Sequence, residues 1–407
     1  MKEIAGGVTA AKGFEAAGTE AAVKYKNRKD MALVYSTAPC KVAGTFTTNV
    51  VKAAPVIWDK QVVENSAFAQ VVVVNSGIAN ACTGKPGMDC CKAEAEHAGK
   101  LLGIPADAVL VASTGVIGMQ MPVDRLCAGI DKLVAAKEAT LEAGLDAAKA
   151  IMTTDTVHKQ IAVSFELDGK TVTVGGMCKG SGMIHPNMCT MLGFVTTDVN
   201  ISKEMLQKAT SASVEDSFNM ISVDGDTSTN DTLLVLANGL AGNEEINAEG
   251  AAFDEFCEAL NYITMYLAKK MAGDGEGATA LFECQVVGAD TVKNAKTLAK
   301  SVICSSLSKA AIFGHDANFG RFLCALGYSG VTFDPENVDL YFQSKSGRIH
   351  IFGEGIAKDY SEEEATKILS DEEVTIFVDM HMGEAKATAW GCDLSYDYVK
   401  INADYRS

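Results

Sequence analysis

Lys179-Gly-Ser-Gly-Met-Ile-His-Pro-Asn-Met-Cys-Thr-Met-Leu-Gly-Phe-Val-Thr-Thr-Asp198 is the stretch on which the fold turns. Small residues from Lys179 to Gly182 make a loop. The chain then passes through Pro186 to Cys189 and Thr190, and an apolar run from Met191 to Val195 follows. A loop feeding a short apolar run predicts a turn leading into a buried strand. Thr190 stands at the mouth of that strand, where a rigid element would hold its hydroxyl beside a loop, a suitable place for a nucleophile. A β-branched residue opening a strand is also ordinary, so these residues alone leave both readings open.

Strand and helix signals alternate on either side. Met31 to Thr37, Val42 to Thr48, Ala69 to Asn75 and Ala108 to Ala112 read as strands. Gln160 to Leu167 and Lys170 to Met177 read as a hairpin about Asp168-Gly169. Asp89 to Gly103, Pro122 to about Met152, Lys203 to Phe218 and Ala251 to Met271 read as helices, the last stopped by Ala272-Gly-Asp-Gly-Glu-Gly277. Beyond it come a strand (Thr279 to Val287), a helix (Thr291 to Leu307) and a hairpin (Asp339 to Gln343 with Arg348 to Phe352). A helix opened by Ser361 and a second hairpin (Val374 to Met382 with Ala385 to Cys392) follow. The alternation predicts an α/β protein.

With 407 residues, 48% of them hydrophobic, the chain can bury a large core, enough for two domains or one with an appendage. Its net charge of −17 argues against nucleic acid or an anionic membrane as partner. Met1-Lys-Glu-Ile-Ala-Gly-Gly7 has no apolar signal segment, and no apolar run reaches membrane-spanning length. A cytoplasmic protein is expected. The 12 cysteines lack paired zinc spacing and the six histidines are dispersed, so free thiols and no metal site are expected.

A threonine hydroxyl needs a neighbouring base to act as a nucleophile. A cut before Thr190 would supply one, the new α-amine, whose reference pKa of about 7.7–8.0 suits neutral pH. The turn Ser113-Thr-Gly-Val-Ile-Gly118 at a strand end can present a hydroxyl and a backbone N–H together to an oxyanion. On these residues alone a ligand-free strand-to-helix connection is the commoner reading. Asp224-Gly-Asp226 falls short of a calcium loop. The Gly-rich turn around Glu276 lacks the Gly-Lys-Ser/Thr of a phosphate loop.

The run Lys179-Gly-Ser-Gly-Met-Ile184, Pro186-Asn-Met188 and Thr190-Met-Leu192 resembles the self-cleavage site of the ornithine acetyltransferase (glutamate N-acetyltransferase) family of arginine biosynthesis. The similarity extends from Gly6-Gly-Val-Thr-Ala-Ala-Lys-Gly-Phe14 to the last residues. It implies a layered αββα catalytic domain over residues 1–275 and a smaller C-terminal α/β domain over 276–407, whose tail returns to the site. It implies self-cleavage between Cys189 and Thr190, with two 1–189 and two 190–407 fragments assembled as a heterotetramer. Thr190 would be the nucleophile, with Thr114 and Gly115 as the oxyanion hole. Thr156, Lys179, Glu276, Asn402 and Ser407 would join Thr190 in binding substrate, and Thr154 neighbours the Thr156 match. Lys179 would meet the amino-acid carboxylate and Glu276 the amino group. The segment His315-Asp-Ala-Asn-Phe-Gly-Arg321 also resembles the family.

The implied reaction moves acetyl from N-acetylornithine to glutamate through an acetyl-Thr190 intermediate. It needs no cofactor, and some members also take acetyl-CoA as a co-substrate. The sequence departs from the family pattern at Cys189, His185, Phe319 and Ala280. Two rivals share some of these features: a terminal-Thr amidohydrolase or aminopeptidase, which passes the acyl group to water, and a binding protein that is never cleaved.

Overall fold

A computed structural model describes residues 1–185 and 191–404 of the chain. They form two compact units. The first comprises 1–180, 191–219 and 227–267; the second comprises 181–185, 220–226 and 268–404.

In chain order, the strands up to the long helix are β1 (Lys2–Ile4), β2 (Phe14–Thr19), β3 (Met31–Phe46), β4 (Ala69–Ile78), β5 (Val109–Val116), β6 (Lys159–Leu167), β7 (Lys170–Lys179), β8 (Leu192–Thr197), β9 (Ile221–Ser222) and β10 (Thr232–Ala237). All but β9 belong to the first unit. Its helices are α1 (Ala54–Asn65), α2 (Gly84–Leu102), α3 (Val123–Ala136), α4 (Leu141–Ala150), α5 (Lys203–Asp216) and α6 (Ala251–Gly273) as far as Leu267.

Among the described residues the first unit has one nine-stranded sheet, ordered β1-β6-β7-β8-β10-β3-β4-β5 with β2 also on β3. β3 is long enough to serve two halves of it. Its first part pairs with β2 and β4, and its last residues with β10. The period of two then sorts β4. Val72 and Val74 join Phe14, Val34, Phe194 and Leu234 in one core, between the two halves of the sheet. Val71 and Val73 join Leu33 and Val111 against α2 and α3, where Cys91, Ala95, Leu126 and Ile130 are buried. On the remaining face, Gly176 of β7 lies against Ile263 and Leu267 of α6. The result is the expected helix–sheet–sheet–helix layering.

The second unit adds β11 (Leu281–Ala289), β12 (Asp339–Ser344), β13 (Gly347–Gly353), β14 (Ile356–Ala357), β15 (Glu373–Asp379) and β16 (Ala385–Cys392), with helices α7 (Val292–Cys304), α8 (Ser306–Phe313), α9 (Phe319–Gly327), α10 (Glu362–Leu369) and α11 (Tyr396–Ala403). Among the described residues its sheet is seven-stranded, in the order β14-β13-β12-β15-β11-β16-β9. Edge-to-face contacts of Phe322 with Phe282 and Phe342 tie α9 to this sheet.

Several readings of the sequence need correction. The strands read over Met31 to Thr37 and Val42 to Thr48 are the single strand β3, and the helix read over Thr291 to Leu307 is broken at Ser305 into α7 and α8. β15 and β16 are not a hairpin: β11 lies between them, parallel to β15 and antiparallel to β16. The connection crosses the end of β11, where Met382 and Gly383 donate backbone N–H groups to the Gly288 carbonyl. The helical stretch from Pro122 is two helices, with Thr140 capping the second through the Ala143 N–H. Among the described residues no helix is long and apolar enough to cross a membrane.

Candidate active site

Lys179 is the last residue of β7, paired in register with Leu192 of β8. Its side chain is 8% exposed, and its ammonium donates to Thr153 Oγ1 at 2.7 Å and to Thr114 Oγ1 at 3.4 Å. A buried ammonium needs a counter-charge, and Asp155 Oδ2 lies 3.7 Å away. Asp155 also accepts from Lys159 Nζ at 2.8 Å, from the Gly180 N–H at 2.7 Å and from the Thr153 N–H at 3.0 Å. Burial alone would push this carboxyl up. Lys179 first and Lys159 next, with the hydrogen bonds, hold it well below the usual carboxylate range. Lys159 and Asp155 are buried as a pair.

Thr114 and Gly115 lie near the end of β5. Gly115 has φ of +131°, and a Cβ there would meet the Gly77 carbonyl carbon of β4 at 2.3 Å. Only glycine permits that approach and that conformation. Asn230 holds the strand ends together, its amide donating to the carbonyls of Ala79 and Ser113. A threonine hydroxyl that accepts from an ammonium keeps its own proton for another acceptor. Thr114 therefore keeps a proton to donate to a further acceptor.

Beside this cluster lies an open cleft of about 700 Å³, lined by Arg28, Lys29, Asp146, Lys149, Met152, Thr153, Asp155, Thr156 and His158. Thr156 belongs to its wall. In the run from Thr153 to Thr156, the hydroxyl that accepts from Lys179 is that of Thr153.

In the second unit, Glu276 is buried in the turn after α6. Its Oε2 accepts from Asn402 Nδ2 of α11 at 2.8 Å, so the two expected partners meet. Its N–H donates to the Ser181 carbonyl, and its carboxylate lies so close to Gly182 that a Cβ there would sit 2.4 Å from it. Ser181 Oγ donates to the Asp274 carbonyl. Asp224 receives the N–H groups of Met183 and Ile184 at 2.7 and 2.9 Å, so it serves the loop as a backbone acceptor. His185 Nδ1 lies 3.1 Å from Ser222 Oγ. Burial, then Lys300, push its pKa down to about 4 against the pull of Asp224, so the ring is neutral at physiological pH.

Phe319 stacks on Phe352 at the start of α9, and Ala280 N–H donates to Asp393; both departures have structural surroundings in the second unit. Cys189, Thr190 and Ser407 lie outside the described residues. Sequence reasoning missed Asp155, Thr153 and Asn230, and weighed Asp224 only as a calcium ligand. The signal for Asp155 was Lys159 four residues on, a charge opening a strand that lies between two others.

A layered α/β enzyme with a buried ammonium and a hydroxyl–glycine pair, suited to small anionic substrates, is what the fold and this geometry define. The chain belongs to the ArgJ family, whose pattern matches residues 15–407. It is 52% identical over 409 residues to the arginine biosynthesis bifunctional protein ArgJ of Symbiobacterium thermophilum, spanning 100% of both chains. It is 50% identical to arginine biosynthesis bifunctional protein ArgJ 1 of Clostridium acetobutylicum, spanning 97% of this chain and 96% of that one. The crystal structure of arginine biosynthesis bifunctional protein argJ from Bacillus halodurans, 46% identical, aligns with 52% of this chain and 97% of its own at a TM-score of 0.49.

Proposed function

We propose that the protein transfers acetyl from N-acetylornithine to glutamate in arginine biosynthesis, and that it also accepts acetyl from acetyl-CoA. The chain cuts itself between Cys189 and Thr190. The Thr190 hydroxyl, deprotonated by its own α-amine, attacks the donor's acetyl carbonyl. Thr114 Oγ1 and the Gly115 N–H stabilise the oxyanion. The C–N bond breaks, ornithine leaves with the proton, and acetyl remains as an ester on Thr190. Glutamate then enters, and its neutral α-amine attacks the ester and carries the acetyl away. Lys179 receives the shared α-carboxylate, Glu276 and Asn402 the other polar end, with Thr156 and Ser407 completing the binding set. No cofactor takes part. The active protein is a cytoplasmic heterotetramer of two 1–189 and two 190–407 fragments.

The observation that carries this reading is the Lys179 ammonium, buried and bonded to Thr114 beside Gly115. Acetylornithine alone, acid-quenched and analysed by mass spectrometry, should leave one acetyl group on the 190–407 fragment. With glutamate added, the rate plots should show ping-pong kinetics. No acetylated fragment together with intersecting double-reciprocal lines would replace this reading with direct transfer. Acetate released in place of acetylglutamate would favour the amidohydrolase.

A further inference from the structure

The cleft lined by Arg28, Lys29, Lys149 and His158 stands out in an acidic protein. The loop from Lys24 to Lys29 carries four cations among six residues and no acid, in a chain of net charge −17. It packs over Gly77, the residue paired with Gly115: a Cβ on Gly77 would lie 3.0 Å from Lys24 Cβ. Arg28 donates to the Met152 carbonyl at 2.5 Å, next to the Thr153 whose hydroxyl accepts from Lys179. The loop is thus fixed to both sides of the Lys179 and Thr114 cluster.

Charge within the cleft is not cancelled. Lys29 meets Asp146 at 2.5 Å, both partly exposed, and Asp155 is held by Lys159 and Lys179. Arg28 and the exposed Lys149 remain as surplus positive charge. The volume of about 700 Å³ is in the range used for ligands well above amino-acid size. The carboxylates of acetylornithine and glutamate can pair with only part of this surface, and molecules of that size leave most of the cleft empty. Phosphates of a larger ligand fill it better, through charge-assisted hydrogen bonds to Arg and Lys, and the acidic surface elsewhere would direct a polyanion here.

We infer that this cleft binds the phosphate-bearing end of an acyl thioester donor, whose acyl end reaches the Lys179 and Thr114 cluster. The identity of the donor rests on the proposed use of acetyl-CoA; the location rests on the cleft itself. Lys149 is the residue to change, because it is exposed on α4.

The test measures CoA binding to the full cleaved protein by calorimetry at low salt, with inorganic phosphate as control, beside initial rates with acetyl-CoA and with acetylornithine. Lys149→Glu, which replaces an attractive charge with a repulsive one, should weaken CoA binding and raise the KM for acetyl-CoA tenfold or more, about 1.4 kcal/mol per factor of ten. The KM and kcat for acetylornithine should stay within twofold, and Lys149→Arg should restore CoA binding. Salt should weaken CoA binding to the wild type more than to Lys149→Glu. The inference is overturned if the wild type fails to bind CoA, if CoA binds both proteins equally, or if both donors suffer alike. Lys149-sensitive CoA binding without acetyl transfer from acetyl-CoA would keep the site and refute the donor.

Discussion

Asp155→Asn removes one carboxylate and strands two lysines. Lys159 and Asp155 are 1% and 0% exposed, and Lys179 is 8% exposed. Removing one partner of a buried ion pair costs about 3–5 kcal/mol, because the other charge stays behind. For a unit of this size that is a fall in melting temperature of about 6–20 °C. The pH dependence has a definite sign. The folded pKa of Asp155 is depressed, so its stabilisation is complete above the unfolded value of about 3.9 and is lost as pH falls through the folded one. The gap between wild type and Asp155→Asn should be constant from pH 8 to about 5 and narrow in acid. Differential scanning fluorimetry across that range reads the gap. The double variant Asp155→Asn/Lys159→Met removes one stranded charge and should recover part of the loss. A melting temperature within about 2 °C of wild type for Asp155→Asn, or a double variant no more stable than the single, would refute the idea that the carboxylate supports both lysines.

Thr114→Ala should leave the melt unchanged and slow acetyl exchange by roughly 10²–10³; an unchanged kcat would rule out the oxyanion role. Thr190→Ala should run as one intact band on a denaturing gel and be inactive, and two bands would move the cut elsewhere. Glu94 is wholly buried with Cys90 Sγ 3.3 Å from Oε1, and burial pushes its carboxyl up to about 7 against that hydrogen bond. Its folded pKa is raised, so the folded state holds the proton longer. Stability should fall from about pH 4.5 to 7, by ~3 kcal/mol, and level off above. Glu94→Gln should flatten this profile in urea titrations at stepped pH. Asn402→Ala should raise the KM for acetylornithine more than it lowers the melt, since it removes the donor to Glu276 Oε2 from an exposed helix.

Local patterns were legible where local physics decides the outcome. The hairpin about Asp168-Gly169 formed over Lys159–Leu167 and Lys170–Lys179, with Asp168 at φ +53° and Gly169 at +72°. Ser361 caps α10 through the Glu364 N–H, as its acidic first turn suggested. Non-local choices were not legible. Met31 to Thr37 and Val42 to Thr48 read as two strands, yet β3 runs unbroken through Pro39 between them. The register with β4 shifts between Tyr35 and Cys40, where a residue without an N–H does no harm. The insertion of β11 between β15 and β16 depends on a partner about 90 residues upstream, which alternation alone cannot supply. Lys179, Thr114 and Gly115 were visible because a motif carries them. Asp155 was hidden because its importance comes from two lysines that only folding brings to it.

The strand order has a consequence for handling the protein. β8 and β10 stand between β7 and β3 in one hydrogen-bonded ladder, so a chain opened before Thr190 is laced rather than divided. Neither piece holds the whole nine-stranded sheet, and separating them means unpairing the middle of it. Such a nicked molecule should survive dilution and gel filtration intact. Once melted, it should not return, because reassembly has become a bimolecular search between two incomplete sheets with exposed edges. Its durability is a matter of unfolding rate, and the two pieces made separately should not substitute for the one chain that folded before it was cut.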